Sequence, residues 1–152
     1  MAGGFVLAAT ARPAAATDPR LQDAVLREVN AFRASQRRPP LQLDLRLSQA
    51  ATAHSNDMLR SGRMSHTGSD GSDPGARITR TGYHWRSYRE NVGAGYVDAR
   101  QAVAGWIASA DHRANLLADD VTQVGVGFAG GPGMMPGNVP RLFWTLVLAT
   151  PR

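Results

Sequence analysis

The stretch QVGVGFAGGPGMMPGNVPRLFWTLVLA, residues 123–149, decides the fold. In its first part Val124, Val126 and Phe128 alternate with small residues, the two-residue period of a strand. Its last part, RLFWTLVLA at 141–149, is nearly all apolar, as a strand covered on both faces is. The linker GGPGMMPGNVP fits a long hairpin loop. Gly125, Gly127 and Gly130 also match G-x-G-x-x-G. A dinucleotide site needs a helix to open there, and Gly131, Pro132 and Gly133 forbid one. Small residues in a strand and turn explain the pattern better.

Upstream the period changes from two to that of helices. Asp18 can cap and Pro19 suits a first turn, with Leu21, Val25, Val29 and Phe32 at helical spacing until Pro39 and Pro40. Asp44 caps a second helix, on which Leu47, Ala51, His54 and Met58 share a face and which Gly62 ends. From Gly62 to about residue 96 the chain is polar and Gly-rich without sustained periodicity, as functional loops are. Asp98, with Gln101 three residues on, opens a third helix whose apolar face is Ala99, Ala102, Val103, Trp106 and Ile107. A short turn, DHRANLL, follows. Helices early and strands late, without βαβ alternation, argue an α+β fold with a small antiparallel sheet covered by helices.

The chain of 152 residues fits one domain and carries a formal charge of +5. Its 17 basic residues are all Arg, and Glu28 and Glu90 are its only Glu. With so much Ala, Gly and Pro, this reads as coding bias rather than selection for guanidinium chemistry. The basic balance favours anionic surfaces such as cell-wall polymers or lipid headgroups. The one tight basic cluster, RASQRR at 33–38, has no interleaved aromatics, so nucleic acid is not expected as a partner. Cysteine is absent, which removes disulfides and thiolate chemistry. Residues 1–17 read as a partial signal peptide or an Ala-rich arm, with Ala9-Thr10-Ala11 and Ala14-Ala15-Ala16 as cleavage-like sites. Export is the favoured reading, and no later run is long and apolar enough to span a membrane. Residues 18–152 form the domain, expected to be monomeric.

His66 sits in GRMSHTGSDGS, residues 62–72, where only Met64 is a hydrophobic neighbour, so packing does not explain it. Such a loop folds through Asx- and Ser-type turns and presents the imidazole outward. His66, Glu90 and His112 each stand among small residues, and two imidazoles with a carboxylate suit a divalent cation or acid–base work. The bland alternative for Glu90 and Asn91 is loop bracing. His54 reads as a hydrogen-bonded core histidine, or an orienting group near a cleft. Ser109 and His112, three apart, would need an oxyanion hole and an acid to make a nucleophile, and no G-x-S-x-G turn or H-E-x-x-H helix exists.

AHSNDM at 53–58, SGRMSHTGSDGS at 61–72, RITRTGY at 77–83 and RENVGAGY at 89–96 together resemble the CAP superfamily. That superfamily comprises cysteine-rich secretory proteins, antigen 5 and pathogenesis-related proteins. AVAGWIASADHRANLL at 102–117, VGVGFA at 124–129 and FWTLVLA at 143–149 continue the match, which is to the bacterial, cysteine-free branch. The resemblance implies a three-layer α-β-α sandwich with a central cleft. It places His66 and His112 as the cleft histidines, able in some members to hold a divalent cation, and Glu90 as the acid of a G-E-N motif. Two departures stand out: Arg89 replaces the glycine of that motif, and Ser109 replaces a second acid, leaving a weaker metal cage.

The implied function is an exported, extracellular or periplasmic binding module. Its cleft, with His54, Arg89, Asn91 and Ser109 in support, would take a lipid, glycan or peptide. The alternative is a metal-dependent hydrolase or peptidase, with a cation, Zn²⁺ for preference, on His66 and His112 and with Glu90 as general base.

Overall fold

The computed structural model describes residues 16–152. The leader reading falls on residues 1–15, outside the described residues. Helix α1, Pro19–Ser35, is capped by the Asp18 side chain on the Arg20 amide. Strand β1, Gln42–Leu43, precedes α2, Leu45–Ser61, which Asp44 caps and Gly62 terminates at a φ of 67°. Helix α3 spans Pro74–Arg80 and strand β2 spans Trp85–Ala94. Helix α4, Ala99–Ala108, is capped by Asp98 on the Gln101 amide, and α5 covers Ala110–Leu116. Strands β3, Gln123–Met135, and β4, Val139–Pro151, close the chain.

The strands form one sheet in the order β1-β3-β4-β2. β3 and β2 flank β4 antiparallel, while the two residues of β1 pair with β3 in parallel, so the sheet is mixed rather than wholly antiparallel. Alternation along β4 separates the two faces. Trp144, Leu146 and Leu148 pack with Val25 and Val29 of α1 and Val103 and Trp106 of α4. Val147 and Ala149 pack with Leu47 and Ala51 of α2 and Ile78 of α3. Helices on both faces make the expected three-layer α-β-α sandwich. The apolar continuity of RLFWTLVLA thus has its reason: each face of β4 meets its own helical layer.

Glycine in VGVG serves close approach. A Cβ on Gly125 would lie 2.1 Å from the Leu47 backbone, and one on Gly127 equally close to Ala51. The α2 backbone therefore rests directly on β3, where no side chain fits. Polar hydroxyls complete this contact, with Ser48 Oγ accepting from the Val126 amide. Thr17, assigned by sequence to the arm, is buried, and its Oγ1 accepts from the Phe128 amide.

Three local expectations change. The irregular stretch after Gly62 contains α3 and the ten-residue β2. DHRANLL lies largely within α5 rather than a turn. The hairpin loop shrinks, because β3 and β4 continue to Met135 and from Val139.

Candidate functional site

Glu90 is the centre of the site. It lies on β2 opposite Val147 of β4, hence on the α2–α3 face, and its side chain is only 2% exposed. His66 donates from Nδ1 to Oε1 at 2.9 Å, and Arg77 of α3 donates from Nη2 to Oε2 at 2.7 Å. Both carboxylate oxygens are therefore engaged. Arg77 also donates from Nη1 to the Ser72 carbonyl, tying α3 to the His66 loop.

The His66 ring is 55% exposed. Its hydrogen bond to Glu90, opposed by partial burial, raises its pKa above the usual histidine value. Since Nδ1 carries the proton donated to Glu90, Nε2 is left for an incoming group. This carboxylate–imidazole arrangement is the one that orients ligating histidines. His54 lies behind, buried on α2. Its Nε2 donates to the Ser65 carbonyl at 2.6 Å and stands 4.0 Å from Glu90 Oε1, while its buried Nδ1 has no partner among the described residues. Burial pushes its pKa down, keeping the ring neutral.

The His112 backbone is tied to β2 from the other side of the sheet. Asn91, the next residue of β2, lies opposite Leu146 on the α5 face, and its Nδ2 donates to the His112 carbonyl at 3.0 Å. Asn115 donates to Asn91 Oδ1, closing a part-buried amide link between β2 and α5. The His112 pKa is lowered by burial first and by the charge of His66 second, so the two rings stand within electrostatic reach. β2 is the edge strand, with His66 on one face of the sheet and α5 on the other. The site thus spans the free edge of β2.

Arg89 and Ser109 stand differently from expectation. Arg89 points to the opposite face from Glu90, bonding Asp120 and the Tyr88 carbonyl, because neighbours on a strand alternate. The cation beside the cleft acid is Arg77, which the sequence reading did not select. Ser109 joins α4 to α5 without a side-chain capping bond, and no hydrogen bond links it to His112 among the described residues. Asn115 was also overlooked; both omissions are polar residues whose partners lie far along the chain. Among the described residues no three His, Cys, Asp or Glu side chains converge as a metal cluster. The residues fit a cation only through two imidazoles, with the remaining positions left to water or ligand.

The sequence matches the cysteine-rich secretory protein family, CAP, over residues 26–147. It is 32% identical over 104 residues to YkwD and 31% over 103 residues to the membrane protein YlbC, both of Bacillus subtilis. Each match takes in 68% of this chain, which spans only 40% and 30% of those relatives' lengths. Among solved structures, an extracellular protein containing an SCP domain from Bacillus anthracis superposes with a TM-score of 0.74 at 27% identity. That match covers 86% of this chain and 40% of the other. An outer surface protein of Borrelia burgdorferi gives 0.73 at 18% identity, covering 86% and 92%, a likeness of fold alone. Sequence motifs, sandwich and matches agree: the chain belongs to the CAP family, in a form without cysteine.

Proposed function

We propose that this domain is an exported binding module whose cleft at the β2 edge takes an envelope or extracellular ligand: lipid, glycan or peptide. The observation that carries this reading is the double engagement of Glu90, held by Arg77 at one oxygen and by His66 at the other. A carboxylate so bound orients an imidazole, and with cationic and N–H donors at both oxygens it is a weaker base toward water. The half-exposed His66 ring is then the presented group, with His112, whose pKa burial lowers, on the α5 side of β2. The extracellular SCP relative from Bacillus anthracis supports an extracellular or periplasmic site of action. Binding of vesicles, glycan fragments and peptides to the wild type and to His66→Ala/His112→Ala tests it. A ligand bound saturably and lost in the variant is expected; equal binding by both would overturn it.

A second reading, a metal-dependent hydrolase, is favoured by the Nδ1–H contact to Glu90, which leaves Nε2 for a cation. His66 and His112 would hold the metal, Zn²⁺ by preference of two imidazoles, and the bound ion would polarise a carbonyl. Calorimetric Zn²⁺ titration should then saturate in the wild type and fail in His66→Ala and in His112→Ala. Turnover sensitive to chelator and abolished by Glu90→Gln would establish the hydrolase. Turnover unchanged by that substitution would remove Glu90 as its base.

A further inference from the structure

On the α2–α3 side of Arg77 lies a cavity of about 380 Å³, walled by α2, the loop through residues 69–72 and α3. Neither His66 nor His112 lines it. Arg77 stands in its wall with the side chain 8% exposed. A guanidinium carries five N–H donors. The protein uses one at Nη1 for Ser72 and one at Nη2 for Glu90. The Nε–H has no partner among the described residues. His54 stands in the same wall.

Arg80 flanks the cavity in an ion pair with Asp70 whose members are 60% and 52% exposed, a pair readily exchanged. The cavity's carboxylates are already occupied. Asp57 accepts from both the amide and the hydroxyl of Ser69, and Asp70 accepts from the Ser72 amide and from Arg80. The lining thus carries three guanidinium groups, Arg60, Arg77 and Arg80, against the two carboxylates of Asp57 and Asp70, over the small apolar surface of Ala50 and Ala53.

We infer that this cavity is a second subsite, which receives a carboxylate group on Arg77 and Arg80. The planar guanidinium matches a carboxylate with two parallel hydrogen bonds. The volume admits a short chain attached to that carboxylate, not merely an ion. The subsite stands apart from the cleft reading, sharing the Arg77–Glu90 link and the His54 ring between them.

The test is an NMR titration of the full chain with N-acetylglycine, against its uncharged amide and inorganic phosphate, at constant ionic strength. Saturable shifts are expected at Ala53, Ser69 and the Arg80 side chain, with the amide roughly tenfold weaker. Arg77→Lys should weaken binding roughly tenfold, since an ammonium cannot fork. Arg80→Gln should weaken it roughly threefold with an unchanged melting temperature. Should Arg77→Lys fail to fold, Arg80→Gln decides. His66→Ala/His112→Ala should leave these shifts intact, so failure of the cleft reading is distinguishable. Unsaturable shifts, equal binding of acid and amide, tighter binding of phosphate, or indifference to Arg80→Gln would each overturn the proposal.

Discussion

Glu90 holds a guanidinium and an imidazole with one carboxylate, and its burial makes each of them matter. Removing the guanidinium in Arg77→Met leaves a buried charge with only a histidine to meet it. A cost of about 3–5 kcal/mol is expected by urea unfolding. Arg77→Met/Glu90→Gln should recover most of it, because the charge leaves with its partner. The histidines respond to pH in opposite senses. The hydrogen bond to Glu90 raises the folded-state pKa of His66 above 6.5. Its contribution to stability is whole below pH 6.5 and fades as the pH rises through the folded value. Burial lowers that of His54 below 6.5, so there stability is lost as the pH falls from 6.5 through the folded value. In an NMR titration of the ring protons, His66 should titrate above 6.5 and Glu90→Gln should return it toward that value. A wild-type His66 titrating below 6.5 would break the assigned contact.

Among the elements, α2 and β3 make the closest contact, and glycine permits it. Gly127→Ala would drive a Cβ to 2.1 Å from the Ala51 backbone, which cannot rotate away. The expected loss is about 1–3 kcal/mol, read as a lowered melting temperature. Gly131→Ala is the control. Its Cβ would meet only a Leu59 methyl at 3.0 Å, a flexible end, and stability should hardly change. β2 is the element that makes the site, because its alternation gives Glu90 to one face and Asn91 to the other. That same division hid it from sequence reading. A strand whose two faces end in polar networks shows neither apolar alternation nor an apolar run. α3 and α5, at seven residues each, are too short for a sustained period.

Over the whole molecule, β4 joins the two hydrophobic layers, with Trp144, Leu146 and Leu148 in one and Val147 and Ala149 in the other. Neither layer can come apart without exposing the strand they share. Urea unfolding followed by fluorescence of the buried Trp106 and Trp144 should coincide with far-UV circular dichroism in one transition. Separated transitions would mean that the α2–α3 layer unfolds alone.

By itself the sequence determined the helices α1, α2 and α4 with their aspartate caps, the β3–β4 hairpin, the α+β class and, through its motifs, the family. Those features rest on local rules: capping, periodicity, and the backbone limits of Gly and Pro. It also marked His66, Glu90 and His112 as residues without a packing role. Only the tertiary structure decided how they are used. Arg77 and His66 reach Glu90 across 13 and 24 residues, and the alternation of β2 sends Arg89 to the opposite face. The parallel pairing of β1, the tie of α5 to β2 through Asn91 and the cavity beside Arg77 likewise depend on contacts distant in sequence. Periodicity reports which face of an element is buried; it carries no record of the partner that buries a polar group.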